Sequence, residues 1–397
     1  MRQTCQFALI LAILFTTSAC LPTSNTLNAT TEPRDDTEAR ATESFDPYAA
    51  NPRLEEFNLP PYYPETYPFI IEGSQKEQAL TIYSTTEING WENLVQAFNE
   101  HYPWIKVTIV NTELNVFERY EQEILSYDPS ADLIISADIT GWQGFLDKKQ
   151  AVNYVSAEDA YAPAWLKPAP GIYAISCDPL LVVYSSRWPG EAVTGLKDLS
   201  QRIAKNPASF QGKIITYDTE TSASGYYANW YYTNFTGSTG WDTFQNIGKT
   251  SPGLRTSGKA MVEEVAAGQA NFAYFVSAIH VIPRTDLAEK IKWGYLREAQ
   301  PITVRYAAIP SMSRHPNAAR LMLDYLISQE GQLAIQKDGL TPYRTDIIDA
   351  APYHLDKVLQ EVGNNAIFMS FDPRLQDPAI RQAFIERWKQ IIQPVLP

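Results

Sequence analysis

The sequence predicts an α/β protein of two domains, each a mainly parallel sheet flanked by helices. Three observations predict it. At 397 residues the chain exceeds one ordinary hydrophobic core. Short β-branched and aromatic runs alternate with helices that carry one apolar face, the pattern of a parallel sheet covered by helices. A turn of hydroxyl residues between a strand and a helix occurs early in the chain and again past its midpoint.

The first such unit organises the rest. Residues 80–83 (LTIY) read as a buried strand and are followed by Ser84, Thr85 and Thr86. Trp91, Leu94, Val95 and Phe98 then lie on one helical face, Pro103 ends the helix, and residues 106–110 form a second strand. Such a turn directs hydroxyls and the free N–H groups of a helix start beyond the strand's carboxyl end. Residues 116–125 give a second helix. Residues 131–136 give a third strand that ends at Ser136 and Asp138, ahead of another helical stretch.

Residues 180–185 (LLVVYS) are a strand at the passage into the second lobe. A helix over 197–205 and a strand over 213–217 precede Ser222, Ser224 and Gly225, which open an aromatic helix. Thr256 and Ser257 precede a helix over 260–267, and 272–276 (FAYFV), with Tyr274, is a buried strand. Residues 303–309 return as a strand carrying Arg305, a periodic helix spans 316–330, and the remainder is mostly helical. The expected division is therefore 79–185 plus 303–397 for the first lobe and 186–302 for the second.

The start of the chain speaks to location. Arg2, an apolar run over 7–15 too short to span a bilayer, and small residues leading to Cys20 resemble a bacterial lipoprotein signal over residues 1–20, with Cys20 as the lipid-bearing residue. Thr17 stands where a leucine is usual, so secretion with cleavage near Ala19 is the other reading. Residues 21–51, rich in Thr, Ser, Asn and acidic residues, read as a disordered tether, and 52–78 as an irregular segment packed on the first lobe. The expected place is the cell envelope, outside the cytoplasm and lipid-anchored. Cys5 and Cys20 fall in the leader, which leaves Cys177 alone and expected as a buried apolar residue.

A net charge of −13 argues against nucleic acid as a partner, because phosphate backbones demand a basic face. Four histidines without metal spacing, no Gly-x-Ser-x-Gly elbow and no carboxylate pair argue against an enzyme; no cofactor and no resident metal are expected. Residues 253–260 (GLRTSGKA) nearly spell a phosphate-binding P-loop. Ala260 stands where magnesium needs a hydroxyl, so that reading fails.

The order IYSTT–helix–KVTIV, SADLIIS, KIITYD followed by S-x-S-G, RTSGKAMVEEVAAGQANFAY and HPNAARLMLDYLISQEGQ resembles the extracytoplasmic solute-binding proteins of ABC importers over about residues 79 to 345. The resemblance is nearest to the branch that groups iron(III)-, phosphoglycerate- and hexose-phosphate-binding members. It implies a type II periplasmic-binding-protein-like fold, a ligand held between the lobes, delivery to a membrane ABC permease and no catalysis. The expected chain is a monomer that binds a small anionic, phosphorylated organic solute. Ser84, Thr85, Thr86, Ser136, Asp138, Ser222, Ser224, Gly225, Thr256, Ser257, Tyr274 and Arg305 are its candidate contacts. Thr85 and Thr86 also suit capping of the first helix, Asp138 suits an N-cap, and Arg305 suits an internal ion pair. Iron(III) is the alternative ligand. Tyr274-Phe275 breaks the tyrosine pair that the iron-binding relatives use, although a hard ferric ion does prefer oxygen donors. A ligand-binding partner of a membrane sensor kinase is the alternative role.

Overall fold

The computed structural model describes residues 52–86, 88–112 and 116–393. The leader, the tether and Cys20 lie outside these residues.

The segment 52–78 is more ordered than its prolines suggested, with α1 (Pro52–Glu56) and α2 (Tyr67–Glu77). Leu54, Tyr63, Tyr67 and Ile71 pack into the core of the first half. There β1 (Ala79–Ser84), β2 (Lys106–Asn111) and β3 (Leu133–Ser136) are parallel in the order β2-β1-β3. A 3-10 turn at Ile88–Trp91 leads into α3 (Glu92–His101). The remaining connections carry α4 (Val116–Leu125) and α5 (Ile139–Asp147).

Next comes a 14-residue strand, β4 (Ile172–Ser185), buried throughout. The sequence reading covered only its last six residues. Its first part pairs with β9 and its last part with β7 and β8, so this one strand runs from the first half into the second. The second half holds α6 (Leu196–Lys205), β5 (Ile214–Tyr217), α7 (Ala223–Thr236), α8 (Ser238–Gly248), β6 (Gly253–Arg255), α9 (Gly258–Ala267), β7 (Phe272–Ser277) and β8 (Ile291–Gly294). Strands β6 and β7 both run parallel to β5. The chain returns on β9 (Gln300–Ala308), antiparallel to both β3 and β4, so the sheet is mixed where the halves join.

The helix expected over 316–330 is two, α10 (Pro316–Ile327) and α11 (Gln329–Lys337), because Ser328 ends the first and caps the second through Gly331 N–H at 3.1 Å. Helix α12 (Leu355–Val362), β10 (Ala366–Met369), parallel to β9, and α13 (Pro378–Ile392) complete the chain.

Period-two alternation explains the first half. Leu80, Ile82, Leu133 and Ile135 face one core with α3 and α10, while Tyr83, Ile134, Val304 and Tyr306 face another with α4 and α5. The second half has its own cluster, which includes Phe384, Trp388 and Ile392 of α13 against Tyr226, Trp230 and Ile247. Helix α13, assigned from sequence to the first lobe with 303–397, thus packs its apolar residues on the second half, while Leu355, Val358 and Val362 of α12 pack in the first. The apolar face of α13 meets the aromatic helix α7, and Trp388 Nε1 donates to Asn229 Oδ1 at 3.0 Å.

Candidate functional site

Parallel pairing fixes where the loops gather. Ser84 lies opposite Asn111 on β2 and Ile135 on β3, so the turns after β1, β2 and β3 emerge at one edge. Tyr217 lies opposite Arg255 in the same way, and the turns after β5, β6 and β7 emerge together in the second half. Between the two sets is a cavity of about 640 Å³. That is within the roughly 300–1,000 Å³ of small-molecule sites.

Eight of the twelve candidate contacts line this cavity: Thr85, Thr86, Asp138, Ser222, Ser224, Thr256, Ser257 and Arg305. Four do not. The Ser84 hydroxyl accepts from Thr86 N–H at 2.9 Å and Trp91 Nε1 at 3.0 Å, so it shapes the turn from within. Ser136 Oγ accepts from Asp138 N–H at 3.0 Å and does the same for the third turn. Gly225 is buried in the first turn of α7, where a Cβ would sit 2.6 Å from Tyr217 Cβ. It lets the helix approach the strand and touches no cavity. Tyr274 is fully buried in the second half's core. Its neighbour Phe275, at φ 61°, is the extra residue where the β4–β7 register shifts, a bulge a sequence pattern does not announce.

The lining residues differ in what they have left to offer. Ser222 caps α7 by accepting from Gly225 N–H at 3.1 Å, and Ser257 caps α9 through Ala260 N–H at 3.3 Å. Both helices therefore begin at the cavity, and the earlier first-turn N–H groups of α7, on Ala223 and Ser224, have no intrahelical acceptor. The matching expectation for the first half does not hold. Asp338, just past α11, accepts from Asn93 N–H (3.1 Å), Asn93 Nδ2 (2.7 Å) and Leu94 N–H (3.0 Å). A carboxylate from the far end of the chain occupies the start of α3, so the first half presents hydroxyls and Arg305 instead.

Arg305 is 4% exposed. Its Nη1 donates to Thr85 Oγ1 and its Nη2 to Asp178 Oδ2, each at a long 3.5 Å, and its Nε has no partner among the described residues. Asp178 is better served, accepting from Thr341 N–H at 2.8 Å and Ser176 Oγ at 3.0 Å. Burial pushes the Asp178 carboxyl up and the Arg305 guanidinium down, each opposed by the other's charge; an arginine stays charged regardless. The expected internal ion pair thus exists, loosely, on a residue that also faces the cavity. Thr86 Oγ1 and Ser277 Oγ are likewise buried without a partner among the described residues.

Several lining residues went unread in the sequence. Asn93, Asn111, Ser277 and Thr303 carry no local signal, and Lys337 and Asp338 arrive from a distant helix. In the sequence Tyr217 reads only as the end of a strand and Tyr227 only as part of the aromatic helix. Tyr217, the last residue of β5, is 5% exposed and its hydroxyl makes no hydrogen bond to the described residues. Burial alone raises its pKa. Tyr227 OH donates to Asp138 Oδ1 at 2.7 Å and lies 2.9 Å from Thr140 Oγ1. Its pKa is raised by burial and then by the Asp138 charge. This bond joins the start of α5 in the first half to α7 in the second. Ile139, also from α5, packs in the second half's cluster. Asp138 still caps α5, accepting from Thr140 N–H at 3.1 Å.

Cys177 is buried and unpaired, its thiol pushed up by burial. Arg255 pairs with Glu264 at 2.6 Å and faces away from the cavity. Among the described residues no group of three His, Cys, Asp or Glu side chains is placed to hold a metal ion, and no helix is long and apolar enough to cross a membrane.

Two α/β halves that share crossing strands and enclose a cavity have the type II periplasmic-binding-protein fold. The chain belongs to the family described as bacterial extracellular solute-binding protein, which it matches over residues 80–341. Its fold is similar to the substrate-binding protein of an ABC transporter from Agrobacterium tumefaciens (TM-score 0.72, 18% identity, 79% of this chain and 94% of the other). It is also similar to the periplasmic binding protein AfuA from Actinobacillus pleuropneumoniae with exogenous fructose-6-phosphate bound (0.63, 16%, 79% and 98%). A third is iron-bound HitA from Pseudomonas aeruginosa (0.55, 15%, 79% and 97%). A curated relative, aconitate isomerase from a Pseudomonas species, is 35% identical over 79 residues, and the chain spans only 29% of that relative's length. The family and these fold neighbours are binding proteins.

Proposed function

We propose that this protein is the receptor of an ABC importer that captures a small anionic organic solute, a phosphate ester first, and delivers it to a membrane permease. The observation that carries the reading is Arg305, which is buried, permanently charged and left with an unpartnered Nε at the cavity that α7 and α9 also open onto. An anion there meets a guanidinium on one side and positively polarised helix starts on the other. The chain's overall charge of −13 does not oppose this, since close donors dominate inside a cavity of low dielectric.

In this reading the halves act as lobes that hinge on β4 and on the passage from β8 to β9, and ligand favours the closed arrangement by its differential affinity. Attachment through Cys20 and the tether over 21–51, monomeric action and an extracytoplasmic place complete the reading. Iron(III) ranks lower because Tyr274 lies in the core and, among the described residues, the carboxylates that line the cavity, Asp138 and Asp338, are engaged with protein donors. The aconitate isomerase likeness brings polycarboxylates into range as a further anion class.

A thermal-shift screen with phosphate esters, citrate, aconitate, ferric citrate and polyamines tests the proposal, because any ligand of the native state raises Tm by mass action. Stabilisation by polyamines, or by ferric ion with an intense tyrosinate charge-transfer band, and by no anion would overturn it.

A further inference from the structure

The strand beside Arg305 is bent to give it a particular neighbour. Strand β4 pairs with β9 with Ala174 opposite Tyr306, then slips by one residue, so that Ser176 lies opposite Arg305 and Asp178 opposite Thr303. Side chains alternate along a strand, so this bulge decides which residues share the face of Arg305. Without the slip Cys177 would lie opposite Thr303 on that face, and Asp178 would point into the apolar cluster that now holds Cys177. With it, Ser176 and Asp178, both fully buried, stand behind Arg305 and Thr303, which line the cavity.

The Asp178 carboxylate is secured from elsewhere. Its Oδ1 accepts from Thr341 N–H at 2.8 Å and its Oδ2 from Ser176 Oγ at 3.0 Å. Arg305 Nη2 reaches the same Oδ2, and Nη1 the Thr85 hydroxyl, only at 3.5 Å, while Arg305 Nε has no partner among the described residues. An arginine and a carboxylate that serve only each other settle into two short parallel hydrogen bonds. Here Asp178 would keep two donors if the guanidinium left it, and the guanidinium has donors to spare. The pair balances charge in the interior without using up the arginine.

We propose that Asp178 is a positioning residue that keeps Arg305 in reserve: it balances the guanidinium's charge before a solute arrives, then competes with the solute's anionic group for it. Asp178 thereby sets the anion affinity of the receptor. The inference rests on the anion-receptor reading above and names what regulates that site. Such a role gives stability and affinity opposite signs. Asparagine at 178 can still accept from Thr341 N–H, but it carries no charge, so Arg305 becomes an uncompensated buried cation that an incoming anion relieves. Ser176 acts in the other direction, because its hydroxyl shares Oδ2 with Arg305. Without that hydroxyl the guanidinium is the one side-chain donor to Oδ2 among the described residues and is held harder.

The test is calorimetric titration of the full chain with inorganic phosphate, citrate and glucose 6-phosphate, beside urea melts without ligand. Asp178→Asn should unfold at lower urea than the wild type and yet bind anions at least about fivefold tighter. Ser176→Ala should bind them at least about twofold weaker. An aspartate that merely braced β4 would lose affinity together with stability. Anion binding that is unchanged or weaker in Asp178→Asn, or unchanged or tighter in Ser176→Ala, would overturn the role of Asp178 while leaving the anion receptor standing. Should Asp178→Asn fail to fold, the Ser176→Ala titration decides by the same criterion. Binding of none of the three anions by the wild type or either variant would remove both readings.

Discussion

Replacing Asp324 by asparagine should flatten the acid side of the protein's stability profile. Asp324, on α10, is fully buried and accepts from Tyr67 OH (2.8 Å), Tyr154 OH (2.7 Å), Ser156 Oγ (2.6 Å) and Ala157 N–H (3.2 Å). It ties the segment before β1 and the loop before β4 to the back of the first half. Burial raises its pKa from 3.8 to about 6, against the lowering effect of those hydrogen bonds. A carboxyl whose native pKa is raised binds more protons folded than unfolded between those two values, so its contribution to stability rises as pH falls through the window. At about 1.36 kcal/mol per pKa unit the whole gap amounts to about 3 kcal/mol, of which about 1 kcal/mol falls between pH 7 and pH 5. Urea melts of the wild type and Asp324→Asn at pH 7, 6 and 5 isolate this group, because every other carboxylate contributes equally to both. Between pH 7 and pH 5 the wild type should gain about 1 kcal/mol relative to the variant's own change over the same range. Parallel pH profiles in the two proteins would refute the assignment of a proton to Asp324.

Three further outcomes are expected. Thr86→Leu and Ser224→Leu, which fill opposite sides of the cavity, should abolish binding of the solute found in the thermal-shift screen while changing stability by less than about 2 kcal/mol; undiminished calorimetric affinity would count against the cavity. Asp338→Ala removes three hydrogen bonds from the start of α3 and should cost about 2 kcal/mol in a urea melt, with raised hydrogen exchange at Asn93 and Leu94; native protection at those amides would contradict the capping role. Tyr227→Phe deletes the bond to Asp138 across the halves and should favour the open arrangement, seen as a larger radius of gyration in solution scattering without ligand; an identical scattering curve would show that the bond does not hold the halves.

Much of the fold was written locally. The strand at 80–83 with its three hydroxyls, the helix behind it and the repeat of that design at Tyr217 and Ser222 follow from apolar periodicity and cap chemistry, which need only near neighbours in the chain. The polar turns and Arg305 were visible for the same reason. Strand β4 was half hidden because Cys177-Asp178-Pro179 interrupts its apolar run, and a buried aspartate makes sense only once Arg305 and Thr341 lie beside it.

The sequence by itself determined that hydroxyl turns precede helices in two α/β halves, since strand period, helix period and capping act over a few residues. Tertiary structure alone decided which turn groups remain available to a solute. Ser84 and Ser136 are spent inside their own turns, Asp338 closes α3 from some 240 residues away, and Tyr274 is carried into the core beside a bulge. Each outcome depends on a partner brought near by packing, and a hydrogen-bonding group is free or occupied only with respect to what surrounds it.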